Sequence, residues 1–204
     1  MFKNFIKNYN RKKLKDKRFD FLFEDNRTNE IVVFDCETTG LNPKIDDIIS
    51  IGAVKIKDNK IILNESFHVF VKQKKDISHK SITIHQIRNC DLDGAIEIEE
   101  AIEKFLNYIG SRDLLGYYLE FDVAMINKYT KSQIGIKLPN IQREVSAIYY
   151  DKKIGNIPQN YIDLKFDTIM STLNLPKLKA HNAINDAIMT AMMYIKLNQI
   201  KKIV

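Results

Sequence analysis

Asp35 and Glu37 close an apolar run, Ile31-Val32-Val33-Phe34, that stops at Gly40. In an extended segment two residues at this spacing project from one face, so the two carboxylates stand together while Cys36 points to the other side. Two hard oxygen ligands on a rigid strand end can share Mg²⁺ or Mn²⁺. Thr38, Thr39 and Gly40 can then turn backbone N–H groups towards an anionic substrate. Alone, an Asp-x-Glu pair at a strand end is more often a solvated edge or a cap. Further acids and a histidine lie downstream: Asp122 follows Phe121 at the head of a helical pattern, and His181 precedes Asp186 by five residues. Five residues on a helix are about 140° apart. Both side chains therefore reach one site only if His181 sits on a loop and Asp186 in the first helical turn.

The elements that must hold these residues follow from apolar spacing. Ile31 to Phe34 is β-branched and continuous, the profile of a strand covered on both faces. Ile48 to Ile56, with Gly52 inside it, and Ile61 to Val71 read as two more strands joined at Asp58-Asn59, giving an antiparallel meander. Lys72 to Lys80 reads as a solvated basic loop, with His68 and His79 as ordinary strand and loop residues. Within Ala95 to Ile109, Ile98, Ala101, Ile102, Phe105, Leu106 and Ile109 recur at helical spacing, and Gly110 closes the helix. Asp113 to Leu119 reads as a strand leading into a helix at Phe121 to Ile126, a crossover that implies parallel pairing with the first strand. Beyond Ser132 the pattern gives a helix around Asn140 to Tyr150, a loop over Asp151 to Pro158 and a short last strand at Tyr161 to Phe166. Asp167 to Leu173 reads as a helix. Ala183 to Ile200 is a long one, whose Ala183, Ala187 and Ala191 permit close approach to the sheet. The fold class is α/β, a mixed sheet with helices on its faces.

Of the net charge of +6, residues 1–18 contribute +7, so the remainder is close to neutral. The basic character belongs to an extension, residues 1–30, ahead of a domain at 31–204. Phe2, Phe5, Ile6 and Tyr9 predict a short amphipathic helix there. It either docks on the domain or contacts nucleic acid, with a membrane surface or protein partner as the third reading. Phe19, Phe21, Leu22 and Phe23 predict packing on the domain. Cys36 and Cys90, without Cys-x-x-Cys spacing, fit a reduced, cytoplasmic protein. No apolar run approaches the roughly 20 residues of a membrane span.

Three segments belong together: Phe34-Asp35-Cys36-Glu37-Thr38-Thr39-Gly40, Phe121-Asp122, and His181 to Asp186. Their order resembles the DEDD-type 3′→5′ exonucleases, and the five-residue step from histidine to aspartate resembles the histidine-base branch that includes the epsilon proofreading subunit of bacterial replicative polymerase. The resemblance runs from about Ile31 to Ile195 and takes in Asp167-Thr168. It implies a ribonuclease H-like fold, a mixed five-stranded sheet flanked by helices. It also implies two divalent metal ions, Mg²⁺ or Mn²⁺, about 4 Å apart and held by Asp35, Glu37, Asp122 and Asp186. His181 is the implied general base. Substrate contacts are expected at Thr38, Thr39, Gly40, Leu41, His85, Tyr118 and Phe121, Tyr118 by stacking on a base and not as a position carried over from the family. The implied reaction is release of nucleoside 5′-monophosphates from the 3′ end of single-stranded DNA. RNA trimming is the alternative, and a non-catalytic module binding nucleic acid or a polymerase is a further one. Thr-Thr after Glu37 resembles proofreading-type members more than oligoribonucleases. Two departures touch substrate contacts: Tyr117-Tyr118 stands where many relatives carry His-Asn, and Gln86 where they carry Gly. Ending at Val204, the sequence leaves no room for a C-terminal polymerase-binding tail, so the expectation is an independent enzyme or one that uses its own N-terminal extension.

Overall fold

Val32, Val33 and Phe34 are all buried, so the strand they form has apolar cover on both faces. The computed structural model describes residues 2–74, 77, 79–153, 162–201 and 203, with side chains omitted at 2–6, 79, 80, 84 and 89. Five strands, β1 (Ile31–Thr38), β2 (Ile48–Lys57), β3 (Lys60–Phe70), β4 (Asp113–Gly116) and β5 (Gln142–Glu144), form one sheet in the order β3-β2-β1-β4-β5. The first three make the antiparallel meander, and β4 and β5 join parallel to β1 and to each other. At the β2–β3 hairpin, Asp58 and Asn59 both take positive φ, 49° and 57°, as a tight turn matching strand twist requires.

Helices cover both faces. On one, α3 (Ile98–Ile109) and α4 (Leu119–Gln133) pack on Val32, Phe34 and Cys36, with the Phe34 and Phe105 rings 5.0 Å apart. On the other, α5 (Val145–Lys153), α6 (Phe166–Thr172) and α7 (Ala183–Gln199) pack on Val33, Val54 and Leu115. Gly110 ends α3 with its N–H on the Leu106 carbonyl. The N-terminal segment joins the first layer. After α1 (Phe2–Lys13), Leu14 and the 3-10 helix Lys17–Phe23 place Leu14, Phe19, Leu22 and Phe23 in the α3/α4 cluster. The predicted contacts of Phe2, Phe5 and Ile6 lie outside the described side chains.

Several expectations are corrected. The fifth strand is Gln142–Glu144 rather than Tyr161 to Phe166, of which 162–165 are irregular and Tyr161 lies outside the described residues. The helix placed around Asn140 therefore begins only at Val145. β4 ends at Gly116, because Tyr118 adopts a left-handed conformation, φ 57°, just before α4. The basic loop gives way to α2 (His79–His85), so His79 opens a helix. Ala95 to Glu97 precede α3, with Ile96 bridging in parallel to Val71. The loop expected over Asp151 to Pro158 falls mostly outside the described residues, and 151–153 belong to α5.

The contact that sets the site is between α7 and β2. A Cβ added at Gly52 would lie 2.2 Å from the Ile184 nitrogen and 2.3 Å from the Ala183 carbonyl carbon. Backbone rests directly on backbone here, and Ala183, Ala187 and Ala191 are fully buried behind it. Gly52→Ala is expected to cost about 3 kcal/mol, because the obstructing atoms are main chain and cannot swing aside. Chemical denaturation of the variant checks this.

Candidate active site

Strand alternation decides which side chains meet. In the β1–β2 register Asp35 lies opposite Gly52 and Glu37 opposite Ser50, all on the face covered by α7. α7 starts immediately above Gly52, with the Asn182 side chain accepting from the Asn185 N–H as its cap, and Asp186 falls in its first turn. Carboxylate oxygens of Asp35, Glu37 and Asp186 consequently lie within 4.8 Å of one another. Asp122 arrives from the opposite face, in the first turn of α4, and its Oδ1 accepts from the Cys36 N–H at 3.1 Å. α4 is aimed by Glu144 at the end of β5, whose Oε2 accepts from the Leu119 N–H at 2.9 Å and whose Oε1 accepts from Ser146. His181 is exposed on the loop ahead of α7 with φ 58°, as the five-residue spacing requires.

Crowding of like charge in a desolvated place shapes the electrostatics. Burial, reinforced by Asp186, pushes Glu37 up to about 7. Burial likewise pushes Asp186 up to about 6, against the opposing pull of His181 and backbone N–H groups. Asp35 is driven well above the carboxylate range by burial and then by Asp122, Glu37 and Asp186. Burial also raises Asp122, although the Cys36 N–H opposes it. Cys36 faces the α3/α4 core, and burial with the neighbouring acids raises its thiol well above normal, which suits the absence of a chemical role. Clustered, hard, mutually repelling oxygens are a donor set that fits divalent magnesium or manganese.

The remaining predicted positions are spread around this cluster. Leu41 is 86% exposed, Tyr118 is 73% exposed, and Phe121 is half-buried against the α3/α4 core. Tyr118 lines a cavity of about 520 Å³ with Leu119, Glu120, Arg143 and Leu164. The Thr38–Gly40 turn is less open than expected. Thr39 gives its N–H to the Asp47 carbonyl, Thr38 its hydroxyl to the Gly40 carbonyl, and the Asp46 carboxylate lies so close to Gly40 that a Cβ would meet Oδ2 at 2.6 Å. An aspartate thus already occupies the approach to this turn, and the Thr39 N–H is not available to a substrate anion. His85 is 5% exposed; its Nδ1 accepts from the Ile87 N–H, and its Nε2 is buried without a partner. Burial and then the nearby His181 lower its pKa. Gln86 has φ 59°, a left-handed conformation that favours glycine. His68 packs tilted against Phe70, ring centres 4.9 Å apart, as an ordinary strand residue.

Sequence reasoning missed two residues. Ser50 is 1% exposed beside Glu37, with an unpartnered Oγ. Period-two alternation from Gly52 was the signal for it. Glu144, the cap of α4, had no signal because its strand was unrecognised.

A five-stranded mixed sheet of this order, with acids gathered at the end of its central strand, defines the ribonuclease H-like class of nuclease folds. The chain belongs to the Exonuclease (RNase_T) family, whose profile matches residues 32–194. It is 34% identical over 168 residues to the DNA polymerase III PolC-type of Caldanaerobacter subterraneus subsp. tengcongensis, an alignment covering 82% of this chain and 11% of that protein. It is 28% identical over 166 residues to the DNA polymerase III subunit epsilon of Aquifex aeolicus, covering 81% of this chain and 79% of that one. Its fold is similar to the nuclease domain of 3′hExo, described as a DEDDh family member bound to rAMP, with a TM-score of 0.69 at 16% identity over 86% of this chain and 94% of that one. The resemblance to DEDD-type exonucleases is thereby borne out.

The clustered acids make stability depend on pH. An unfolded carboxyl titrates near 4, whereas Glu37 in the fold holds its proton to about 7. Its contribution is therefore full below about pH 4 and lost as pH rises to about 7, at up to ~1.4 kcal/mol per pH unit for one proton. Thermal melts without divalent ions are expected to weaken from about pH 5 to pH 8 more steeply for the wild type than for Glu37→Gln. Added Mn²⁺ should stabilise the wild type more at the higher pH, a gain that chelator removes.

Proposed function

We propose that this chain is a metal-dependent 3′→5′ exonuclease that releases nucleoside 5′-monophosphates from single-stranded DNA ends. The observation that carries the reading is the meeting of Asp35, Glu37 and Asp186 oxygens within 4.8 Å, with Asp122 directed to the same strand end and His181 on the adjoining loop. In this reading the four acids hold two divalent ions, Mg²⁺ or Mn²⁺. When bound, such ions neutralise the acids and stabilise charge on the attacking and leaving oxygens of an in-line displacement.

The chain's own residues do the rest. His181, exposed and hinged ahead of α7, takes the proton of the attacking water. Leu41 and Tyr118 offer exposed side chains to nucleobases, Phe121 borders the acids, and Thr38, Thr39 and Gly40 shape the wall beside them. The orphaned Nε2 of His85 offers a hydrogen bond to the terminal nucleotide. DNA is favoured because sequence relatives are DNA polymerase III chains. Among the described residues no helix is long and apolar enough to cross a membrane, and we place the enzyme in the cytoplasm.

The test is digestion of matched single-stranded DNA and RNA, labelled at the 5′ end, with Mg²⁺ or Mn²⁺. Wild type is expected to give a stepwise ladder on DNA that Asp35→Ala abolishes, while His181→Ala slows it by about 10²–10⁴-fold. A stronger ladder on RNA would replace DNA as substrate. If neither strand shortens with either ion, the catalytic reading fails.

A further inference from the structure

The basic N-terminal segment divides into two populations. Lys7 pairs with Asp25 at 3.0 Å, Arg11 with Asp20, and Arg18 with Asp16 at 2.8 Å and Glu103 at 3.2 Å, while Lys17 donates to the Arg11 carbonyl at 3.4 Å. These cations fix the segment to itself and to α3. Lys12, Lys13 and Lys15 are exposed and, among the described residues, have no acidic partner. The same holds for Lys131 and Lys137, either side of the turn that follows α4.

The two groups are locked together. Lys15 donates its N–H to the Ile134 carbonyl at 3.0 Å. Gly135, with φ 80°, fits so closely that a Cβ there would lie 2.8 Å from Lys15 Cγ and 3.0 Å from the Lys13 carbonyl. Lys13 and Lys15 border this seam, and Lys12, Lys131 and Lys137 lie within four residues of it along the chain, all five without an acidic partner among the described residues, an arrangement that repels itself until a polyanion lies across it. Tyr9 adds a 53%-exposed ring, with Lys13 Nζ 4.3 Å from its centroid. Positions 9, 12 and 13 share a helix face. Lysines interleaved with an exposed ring match a single strand, whose phosphates meet cations and whose bases stack on aromatics.

We propose that Tyr9, Lys12, Lys13 and Lys15, with Lys131 and Lys137, form a second contact surface for the nucleic-acid strand whose 3′ end lies among the acids. The proposal rests on the exonuclease reading and extends it. Asp122 and Gly135 are separated by α4, so the seam is about 20 Å from the acids at 1.5 Å per residue. At the 3.4 Å per nucleotide of a stacked strand, about six nucleotides span that distance. Most of its residues precede 32–194, the part shared with the family.

The test compares wild type with Lys12→Ala/Lys13→Ala/Lys15→Ala, after thermal melts establish equal folding. The readouts are kcat/KM on a tetranucleotide and a 20-nucleotide single strand, and affinity for the 20-mer by fluorescence anisotropy across a salt series without added metal. The variant is expected to lower the ratio of long- to short-strand kcat/KM about tenfold and to flatten the log Kd against log salt slope by about 2, near 0.7 for each lysine removed. An unchanged slope and ratio overturn the proposal. Loss of binding to anionic vesicles with full retention of 20-mer affinity also overturns it. If the wild type releases no nucleotide from either strand the exonuclease reading falls instead, and the anisotropy arm still decides whether the seam binds polynucleotide.

Discussion

Everything in this molecule answers to one unfavourable interaction, the repulsion among carboxylates gathered at the end of a buried strand. Left to themselves Asp35, Glu37, Asp122 and Asp186 would separate or keep their protons: burial raises both Glu37 and Asp186, and at Glu37 the charge of Asp186 adds to it. Holding them together requires elements that cannot give way. β1 supplies two acids from positions paired with Gly52 and Ser50 of β2, so neither can withdraw without breaking that ladder. A cluster strained in this way is poised for cations, because a bound ion removes the repulsion that protons otherwise relieve.

The other two acids come from opposite faces of the sheet, each on the first turn of a helix with its own anchor. α7 is set by backbone contact at Gly52, which lets the start of the helix lie directly on β2. α4 is set by Glu144, which accepts the Leu119 N–H and so ties the helix start to the end of β5. The Cys36 N–H then fixes the Asp122 carboxylate itself. The N-terminal segment strengthens the α4 side, since Leu14, Phe19, Leu22 and Phe23 fill the cluster on which α3 and α4 rest. A segment outside the family match thereby contributes to the support of one acid.

Legibility followed the range of the forces involved. The β1 acids, the Asp58-Asn59 hairpin and α7 were readable because their signals are local: alternation, turn chemistry and helical spacing. So was the loop position of His181, because a five-residue step permits no other shared site. β5 was not readable. Gln142-Arg143-Glu144 has no apolar pattern, and only pairing of Leu114 and Leu115 with it makes it a strand. The Tyr161–Phe166 run has the apolar residues a strand uses, yet Tyr117 takes the Leu164 carbonyl and packs on Phe166 instead of offering a strand edge. The Thr38–Gly40 turn was read as open to anions because Asp46 and Asp47, which occupy it, lie across a loop whose path composition does not reveal.

The backbone contact at Gly52 reaches beyond the shape of the site. Asp35 and Asp186 stand about 150 residues apart in the chain, and their oxygens meet only after α7 has docked on β2. No partly folded chain lacking that contact can present the three carboxylates together. A divalent ion that needs all three is therefore a ligand of the completed topology, and its binding energy acts wholly on the native side of the folding equilibrium. The docking of the last helix becomes the step at which ion capture and the finishing of the fold coincide, a closure between distant segments of the kind that governs folding rates.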